Sequence, residues 1–251
     1  MIRLIISGCN GYMGRVVTDI ASVDMDVEVV AGFDLMDNGD KPFPVFARPA
    51  DCDVKADVLI DFSSPKALDG LLAYCIENQV PAIFCTTGYT AEQMEQIKAA
   101  GEKVAVMKSA NMSLGINLIL KLIQDAAKQL APAGFDMEIV EKHHNLKVDA
   151  PSGTALALAD SLNEALDQRY DYIYDRSQER KRREKYEIGI SAVRGGNIVG
   201  EHEVIFAGLD EVIEIKHTAY SKGVFAKGAV QAAKFMAGKP AGFYNMQDVI
   251  H

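Results

Sequence analysis

Leu4-Ile5-Ile6-Ser7-Gly8-Cys9-Asn10-Gly11-Tyr12-Met13-Gly14-Arg15 decides how the first half of the chain is read. Its apolar start, Leu4 to Ser7, is a short strand. Arg15 to Ala21 carries a helical pattern, and between the two the glycines recur as Gly8-x-x-Gly11-x-x-Gly14. Strand, glycine turn and helix in that order are the context a dinucleotide fingerprint requires. Glycines allow a tight turn and let the backbone approach a pyrophosphate, while N–H groups at the helix start face the anion. Gly8, Asn10, Gly11, Tyr12 and Met13 are therefore candidate cofactor contacts. Asn10 stands where a second glycine is usual. Asparagine tolerates left-handed conformations, so the turn stays feasible.

The same fingerprint expects an acidic residue about 20 positions further on. Asp34 lies 20 residues after Gly14, at the end of the β-branched run Val27 to Phe33. A carboxylate there would accept hydrogen bonds from the adenosine ribose and repel a 2′-phosphate. Leu35 and Met36 supply no arginine to reverse that preference. NADH is expected over NADPH, a preference that Lys41 weakens. The alternative is a glycine-rich turn with no ligand.

Outward from this stretch, strands and helices alternate. Val58 to Phe62, Ala82 to Cys85 and Val104 to Val106 read as strands, and Lys66 to Asn78 and Ala91 to Ala100 as helices. Such alternation implies a parallel sheet with right-handed crossovers. Ligands of open parallel sheets bind beyond the carboxyl ends of the strands. Thr86, Thr87 and Gly88, which follow one strand, could face a nicotinamide amide or form a plain turn.

The pattern changes near residue 112. A long helix is expected from about Ser113 to Leu130, with Leu114, Leu118, Leu122 and Ile123 at helical spacing. Glu138 to Lys142 reads as a strand and Ser152 to Leu166 as a helix; the β-rich stretches Tyr186 to Val193, Glu201 to Phe206 and Val212 to His217 follow without helices between them. That succession suggests an antiparallel or mixed sheet. The alanine-rich segment from Val224 to Ala237 is a last helix, placed to pack back on the first domain. The fold class is α/β: a parallel-sheet dinucleotide-binding domain of residues 1–112 and 223–251, and an α+β domain of residues 113–222 with a mixed or antiparallel sheet.

Composition sets the outer limits. The 251 residues are 49% apolar and 24% charged, which excludes a disordered chain or a disulfide miniprotein. A net charge of −9 disfavours nucleic acid and anionic membrane as general partners, while leaving room for a local positive pocket. No apolar run approaches the roughly 18 residues a membrane span needs. Cys9, Cys52, Cys75 and Cys85 form no C-x-x-C pair, and the opening residues are too short an apolar stretch for a secretory signal. Free thiols in a cytoplasmic protein are expected.

The second informative stretch is Glu141-Lys142-His143-His144-Asn145-Leu146-Lys147-Val148-Asp149-Ala150-Pro151-Ser152-Gly153-Thr154. Two adjacent histidines and a lysine precede a polar turn that opens a helix. Ser152, Gly153 and Thr154 would present N–H groups and hydroxyls at a helix N-terminus, which favours a carboxylate or phosphate. His143, His144 and Lys147 add donors or charge, so the site suits a small polyanion. Neighbouring residues of an extended chain point to opposite sides, so His143 and His144 are poorly placed to share a metal, and none is expected. The run Arg176 to Lys185, six basic and two acidic residues, reads as a solvated connection.

At this point the chain resembles the dihydrodipicolinate reductase family of lysine and diaminopimelate synthesis. The matching pieces are Gly8–Arg15, Asp61-Phe62-Ser63, Thr86-Thr87-Gly88, Ser109-Ala110-Asn111-Met112-Ser113, Glu141–Ala155, Arg194–His202 and Phe225–Ala229. The resemblance implies a Rossmann-like domain joined to a substrate domain whose sheet builds a homotetramer. It implies reduction of 4-hydroxy-tetrahydrodipicolinate by NADH or NADPH, with hydride delivered to ring C4 after loss of water. It implies His143 and Lys147 as the catalytic pair, Lys147 giving a proton to the carbanion-like carbon. His144, Ser152, Gly153 and Thr154 would hold the two ring carboxylates, and Thr86, Thr87, Gly88, Ala110, Asn111 and Met112 would join the cofactor contacts. Two positions depart from the family pattern: Asn10, and Lys222 where many members carry arginine, which keeps charge but loses forked geometry. The alternatives are another amino-acid dehydrogenase on the same scaffold, or a non-catalytic NADH-binding regulator.

Overall fold

The computed structural model describes all residues except Ala110, Glu179 and His251. In chain order the elements are β1 (Ile2–Ser7), α1 (Tyr12–Ser22), β2 (Val27–Phe33), β3 (Val45–Phe46), β4 (Val58–Asp61), α2 (Leu68–Asn78), β5 (Ala82–Phe84), α3 (Ala91–Ala100) and β6 (Ala105–Lys108). They continue with α4 (Leu114–Leu130), β7 (Asp136–His143), α5 (Gly153–Ala165), β8 (Asp171–Ile173), β9 (Glu187–Arg194), β10 (Gly200–Ala207), β11 (Val212–Ala219), α6 (Gly223–Met236) and β12 (Gly242–Tyr244). The chain divides into two compact units, Met1–Leu114 with Gly223–His251, and Gly115–Lys222.

The first unit is a seven-stranded sheet in the order β12-β6-β5-β4-β1-β2-β3. Each neighbouring pair is parallel. Chain order reverses beside β1, between β4 and β2, which is where a doubly wound sheet opens its ligand crevice. The central strands are covered on both faces: Leu4, Ile5, Ile6, Val58, Leu59 and Ile60 have no exposed surface. One face carries α1 and α6, the other α2 and α3. Helix α6 reaches the sheet through small residues. Ala226, Ala229, Ala232 and Ala233 are fully buried, and a Cβ on Gly228 would lie 1.7 Å from the Met112 carbonyl oxygen. Helix α3 starts at a capping box between Thr90 and Gln93.

The second unit is a mixed five-stranded sheet in the order β11-β10-β7-β9-β8. Strands β7, β9 and β8 run parallel, while β10 is antiparallel to both β7 and β11. Ile116, Leu120 and Ile123 of α4, with Leu158 and Leu162 of α5, cover Ile139, Val204 and Phe206 of this sheet. Strand β7 alternates strictly: Met137, Ile139, Glu141 and His143 are all buried. The period of two therefore puts one carboxylate and one imidazole on the face that holds the core.

Candidate active site

In the first unit, a cavity of about 900 Å³ opens at the carboxyl ends of β1, β2 and β4. Gly8, Asn10, Asp34, Arg48, Ser63 and Lys66 are among its walls. Gly8 adopts φ +77°, and a Cβ on Gly14 would lie 2.1 Å from the Gly8 carbonyl oxygen. The turn therefore closes directly into α1, whose first residue is Tyr12, three earlier than the pattern suggests. Gly11 is the N-cap and has no side chain to occupy the space before the helix. Tyr12 is exposed and Met13 half-buried.

Asn10 works differently from the expectation. The left-handed residue of the turn is Gly8, and Asn10 has no positive φ. Its amide N–H donates to Asp34 Oδ2 at 2.8 Å, and its side-chain Nδ2 donates to the Met36 carbonyl at 2.8 Å. Asp34 Oδ1 accepts from the Leu35 N–H at 2.8 Å. The two N–H groups orient the carboxylate, and each oxygen keeps a lone pair for a further donor. Lys41 pairs with Asp40 at 3.3 Å.

Beyond β4, β5 and β6 lies a polar cluster in which Asp61, Tyr89 and Lys108 had no role assigned from the sequence. Asp61 is fully buried and accepts from the Ser63 N–H (3.0 Å), the Ser63 hydroxyl (2.5 Å) and the Tyr89 hydroxyl (2.9 Å). Burial, with the Asp61 charge beside it, pushes the Tyr89 phenol far up, so it remains a donor. Lys108 Nζ donates to the Thr86 carbonyl at 3.0 Å and fixes the Thr86–Gly88 loop. Burial holds the Lys108 ammonium below its ordinary range. Thr87 and Gly88 are exposed, and Thr86 Oγ1 is buried with no hydrogen-bond partner. Asn111 Oδ1 accepts from the Ser113 N–H at 2.8 Å, Met112 is buried, and Ala110 lies outside the described residues. The glycine cradle, the cavity and the unpartnered Thr86 hydroxyl fit a nicotinamide dinucleotide.

In the second unit, His143 ends β7 and Lys147 follows on the connection to α5. The Gly195 N–H donates to the His143 carbonyl at 2.9 Å and the Asn145 N–H to the Gly196 carbonyl at 3.2 Å, which pins this connection against the end of β9. Lys147 Nζ donates to Asp149 Oδ1 at 2.7 Å. That contact holds the Asp149 carboxyl below its usual range. His144 is half-buried, and its Nδ1 has no partner. Gly153 and Thr154 form the first turn of α5, where backbone N–H groups lack intrahelical acceptors.

Ser152 is engaged inside the protein. Its N–H donates to Glu141 Oε1 at 2.9 Å, its hydroxyl caps α5 by accepting from the Ala155 N–H at 3.1 Å, and the same oxygen lies 2.8 Å from His202 Nε2. Ser152 thereby fixes the start of α5, which Gly153 and Thr154 continue.

Three residues of this cluster lie in stretches the sequence singled out but had no role assigned there: Glu141, Arg194 and His202. Glu141, with no exposed surface, accepts from Arg194 Nη1 (2.8 Å), Arg194 Nη2 (2.6 Å) and the Ser152 N–H, and pairs with His143 Nδ1 at 2.6 Å. Burial pushes this carboxyl up, but the bonds from Arg194, His143 and Ser152 outweigh it and hold the group below its ordinary value. Burial and the neighbouring His143 lower His202 to about 4, so it is neutral at pH 7. The signal that could have found Glu141 is its spacing: it shares the inward face of β7 with His143, two residues on. Among the described residues no group of three His, Cys, Asp or Glu side chains could hold a metal ion.

Comparison with known proteins finds matches to both halves of the chain. The family model for the N-terminus of dihydrodipicolinate reductase matches residues 2–112, and that for its C-terminus matches residues 115–250. The 4-hydroxy-tetrahydrodipicolinate reductase of Clostridium tetani is 49% identical over all of this chain and 98% of its own length. That of Clostridium novyi is 48% identical with the same coverage. The dipicolinate-bound dihydrodipicolinate reductase from Paenisporosarcina sp. TG-14 superposes with a TM-score of 0.82 at 26% identity, covering 99% of both chains. With both halves matched in order and close relatives spanning its whole length, the chain belongs to the dihydrodipicolinate reductase family of NAD(P)H-dependent oxidoreductases.

Proposed function

We propose that this protein reduces 4-hydroxy-tetrahydrodipicolinate, after loss of water, to tetrahydrodipicolinate in lysine and diaminopimelate synthesis. The observation that carries it is the grouping of His143, Lys147 and the α5 N-terminus on one short segment. A lysine ammonium, an imidazole and a helix N-terminus together suit a planar ring bearing two carboxylates. The reduced nicotinamide, when bound, supplies a hydride to ring C4. Gly8, Asn10, Gly11, Tyr12 and Met13 hold its pyrophosphate through the turn, Asp34 holds the adenosine ribose, and Thr86, Thr87, Gly88, Ala110, Asn111 and Met112 receive the nicotinamide end. His144, Gly153 and Thr154 hold the ring carboxylates, with Ser152 capping the helix beneath them. Lys147 leaves Asp149 to give its proton to the carbanion-like carbon, and His143 supports that transfer from its Nε2 side. A positioned acid of this kind contributes about 10²–10⁴-fold to a rate.

NADH is the preferred cofactor in this reading, because Asp34 is oriented by Asn10 and Leu35 toward hydroxyl donors and faces a 2′-phosphate with like charge. The protein is cytoplasmic and assembles as a homotetramer through the second sheet, where Val193 and Val212 expose 45% and 56% of their surface. Sedimentation would report the tetramer, and a monomer would contradict it. No helix among the described residues is long and apolar enough to cross a membrane.

Isotope transfer tests the reaction. With cofactor carrying deuterium at both C4 positions of the nicotinamide, the product should carry deuterium at ring C4 and nowhere else. Product without the label, or with it at another carbon, would contradict the hydride route.

A further inference from the structure

A carboxylate accepts hydrogen bonds and donates none, so the 2.6 Å contact between Glu141 Oε2 and His143 Nδ1 sets the proton on Nδ1. The carboxylate is itself held by three N–H groups. Arg194 Nη1 and Nη2 bind it from β9, and the Ser152 N–H binds it from the start of α5. With no exposed surface it has no water to turn toward. The imidazole is confined on its other sides as well. The His202 ring meets it edge to face with centroids 5.1 Å apart, and a Cβ on Gly200 would lie 3.1 Å from His143 Nε2.

We propose that Glu141 is a positioning residue of the reductase: clamped by Arg194 and Ser152, it fixes His143 in the Nδ1-protonated tautomer and leaves Nε2 bare to face the reacting ring. The proposal rests on the reaction given above only for what Nε2 faces; the tautomer is a property of the protein alone. The same carboxylate ties two parts of the site together, since Oε1 holds the Ser152 N–H at the head of α5 while Oε2 holds His143. Exact placement of a catalytic ring by a buried carboxylate is a recurring device, and its loss typically costs one to two orders of magnitude or more.

Glu141→Gln separates these roles. Its carbonyl takes the Oε1 position, where two fixed donors, Arg194 Nη2 and the Ser152 N–H, outnumber the single fixed donor at Oε2, Arg194 Nη1, whose bond is lost. Its amide then occupies the Oε2 position and donates to His143 Nδ1, so the ring must move its proton to Nε2. The test is nitrogen NMR of protein labelled in its histidines, without substrate, at a pH where the ring is neutral; a His143→Gln sample assigns the signal. Wild type should show a bare Nε2 and a protonated Nδ1, and Glu141→Gln the reverse. In parallel, kcat should fall on the order of 10²-fold while KM and the Kd for NADH move less than about threefold (within ~0.7 kcal/mol). A structural role alone would lower the melting temperature without reversing the tautomer. Wild type with its proton on Nε2 would overturn the proposal even if the variant does not fold, as would a variant that keeps the wild-type tautomer and kcat. A protein that shows the expected tautomers but turns over no substrate would leave Glu141 in place and refute the assigned reaction instead.

Discussion

Replacing Gly14 by alanine perturbs the turn where it has least room. The new Cβ would stand 2.1 Å from the Gly8 carbonyl oxygen and 2.7 Å from the Cys9 Cα, both backbone atoms. Ordinary contact begins near 3.4 Å, so the turn and the start of α1 must separate by more than 1 Å. Forcing an extra methyl into a packed site costs about 1–3 kcal/mol of stability. In the proposed binding mode the same displacement would pull the helix-start N–H groups off the pyrophosphate. Charge-assisted hydrogen bonds are worth about 1.5–3 kcal/mol each, so losing one weakens NADH binding about 10- to 100-fold. Calorimetric titration with NADH and thermal unfolding read the two effects separately. Gly39→Ala is the control: its φ is +67° with nothing within 4 Å, so it should cost about 1–2 kcal/mol of backbone strain and leave NADH affinity unchanged. Gly14→Ala with wild-type affinity and wild-type stability would refute the assignment of this turn to the cofactor.

Other perturbations address the second unit. Lys147→Ala should lower kcat by about 10²–10⁴-fold with the Kd for NADH unchanged, and a variant near wild-type kcat would remove Lys147 from the chemistry. Arg194→Ala leaves the buried Glu141 carboxylate without its cation; breaking such a pair costs about 3–5 kcal/mol, to be read in urea unfolding at pH 7. His202 provides a pH signature. Its folded value, about 4, lies below the ordinary 6.5, so the unfolded chain binds the proton more readily, and stability is complete above 6.5 and falls as pH drops toward 4. The full loss is about 3 kcal/mol, and His202→Gln should flatten the stability profile across that window.

The parts of the fold with a strong period were legible in the sequence. The strand Val27–Phe33 and the helix Ala91–Ala100 stand as read, and the return of the last helix to the first unit follows from its alanine-rich face. The edge strands β3 and β12 and the short β8 were not legible, because two or three residues cannot display an alternation. In the site, the cluster around His143 and Lys147 stood out by residue type. Glu141 and Asp61 did not, because a carboxylate within a strand reads as solvent-facing until its partners are known. Those partners, Arg194 for one and Tyr89 for the other, lie 53 and 28 residues away. Asn10 shows a converse limit: the left-handed tolerance of asparagine is not used there, and its contacts with Asp34 and Met36 span 24 and 26 residues.

The most direct test of the central claim is the rate at which nicotinamide absorbance falls when substrate is generated in place from pyruvate and aspartate semialdehyde by the preceding synthase. NADH and NADPH are run side by side. The account predicts rapid oxidation that depends on the synthase and both its substrates, faster with NADH than with NADPH. Folded protein that binds NADH yet oxidises neither cofactor would contradict it.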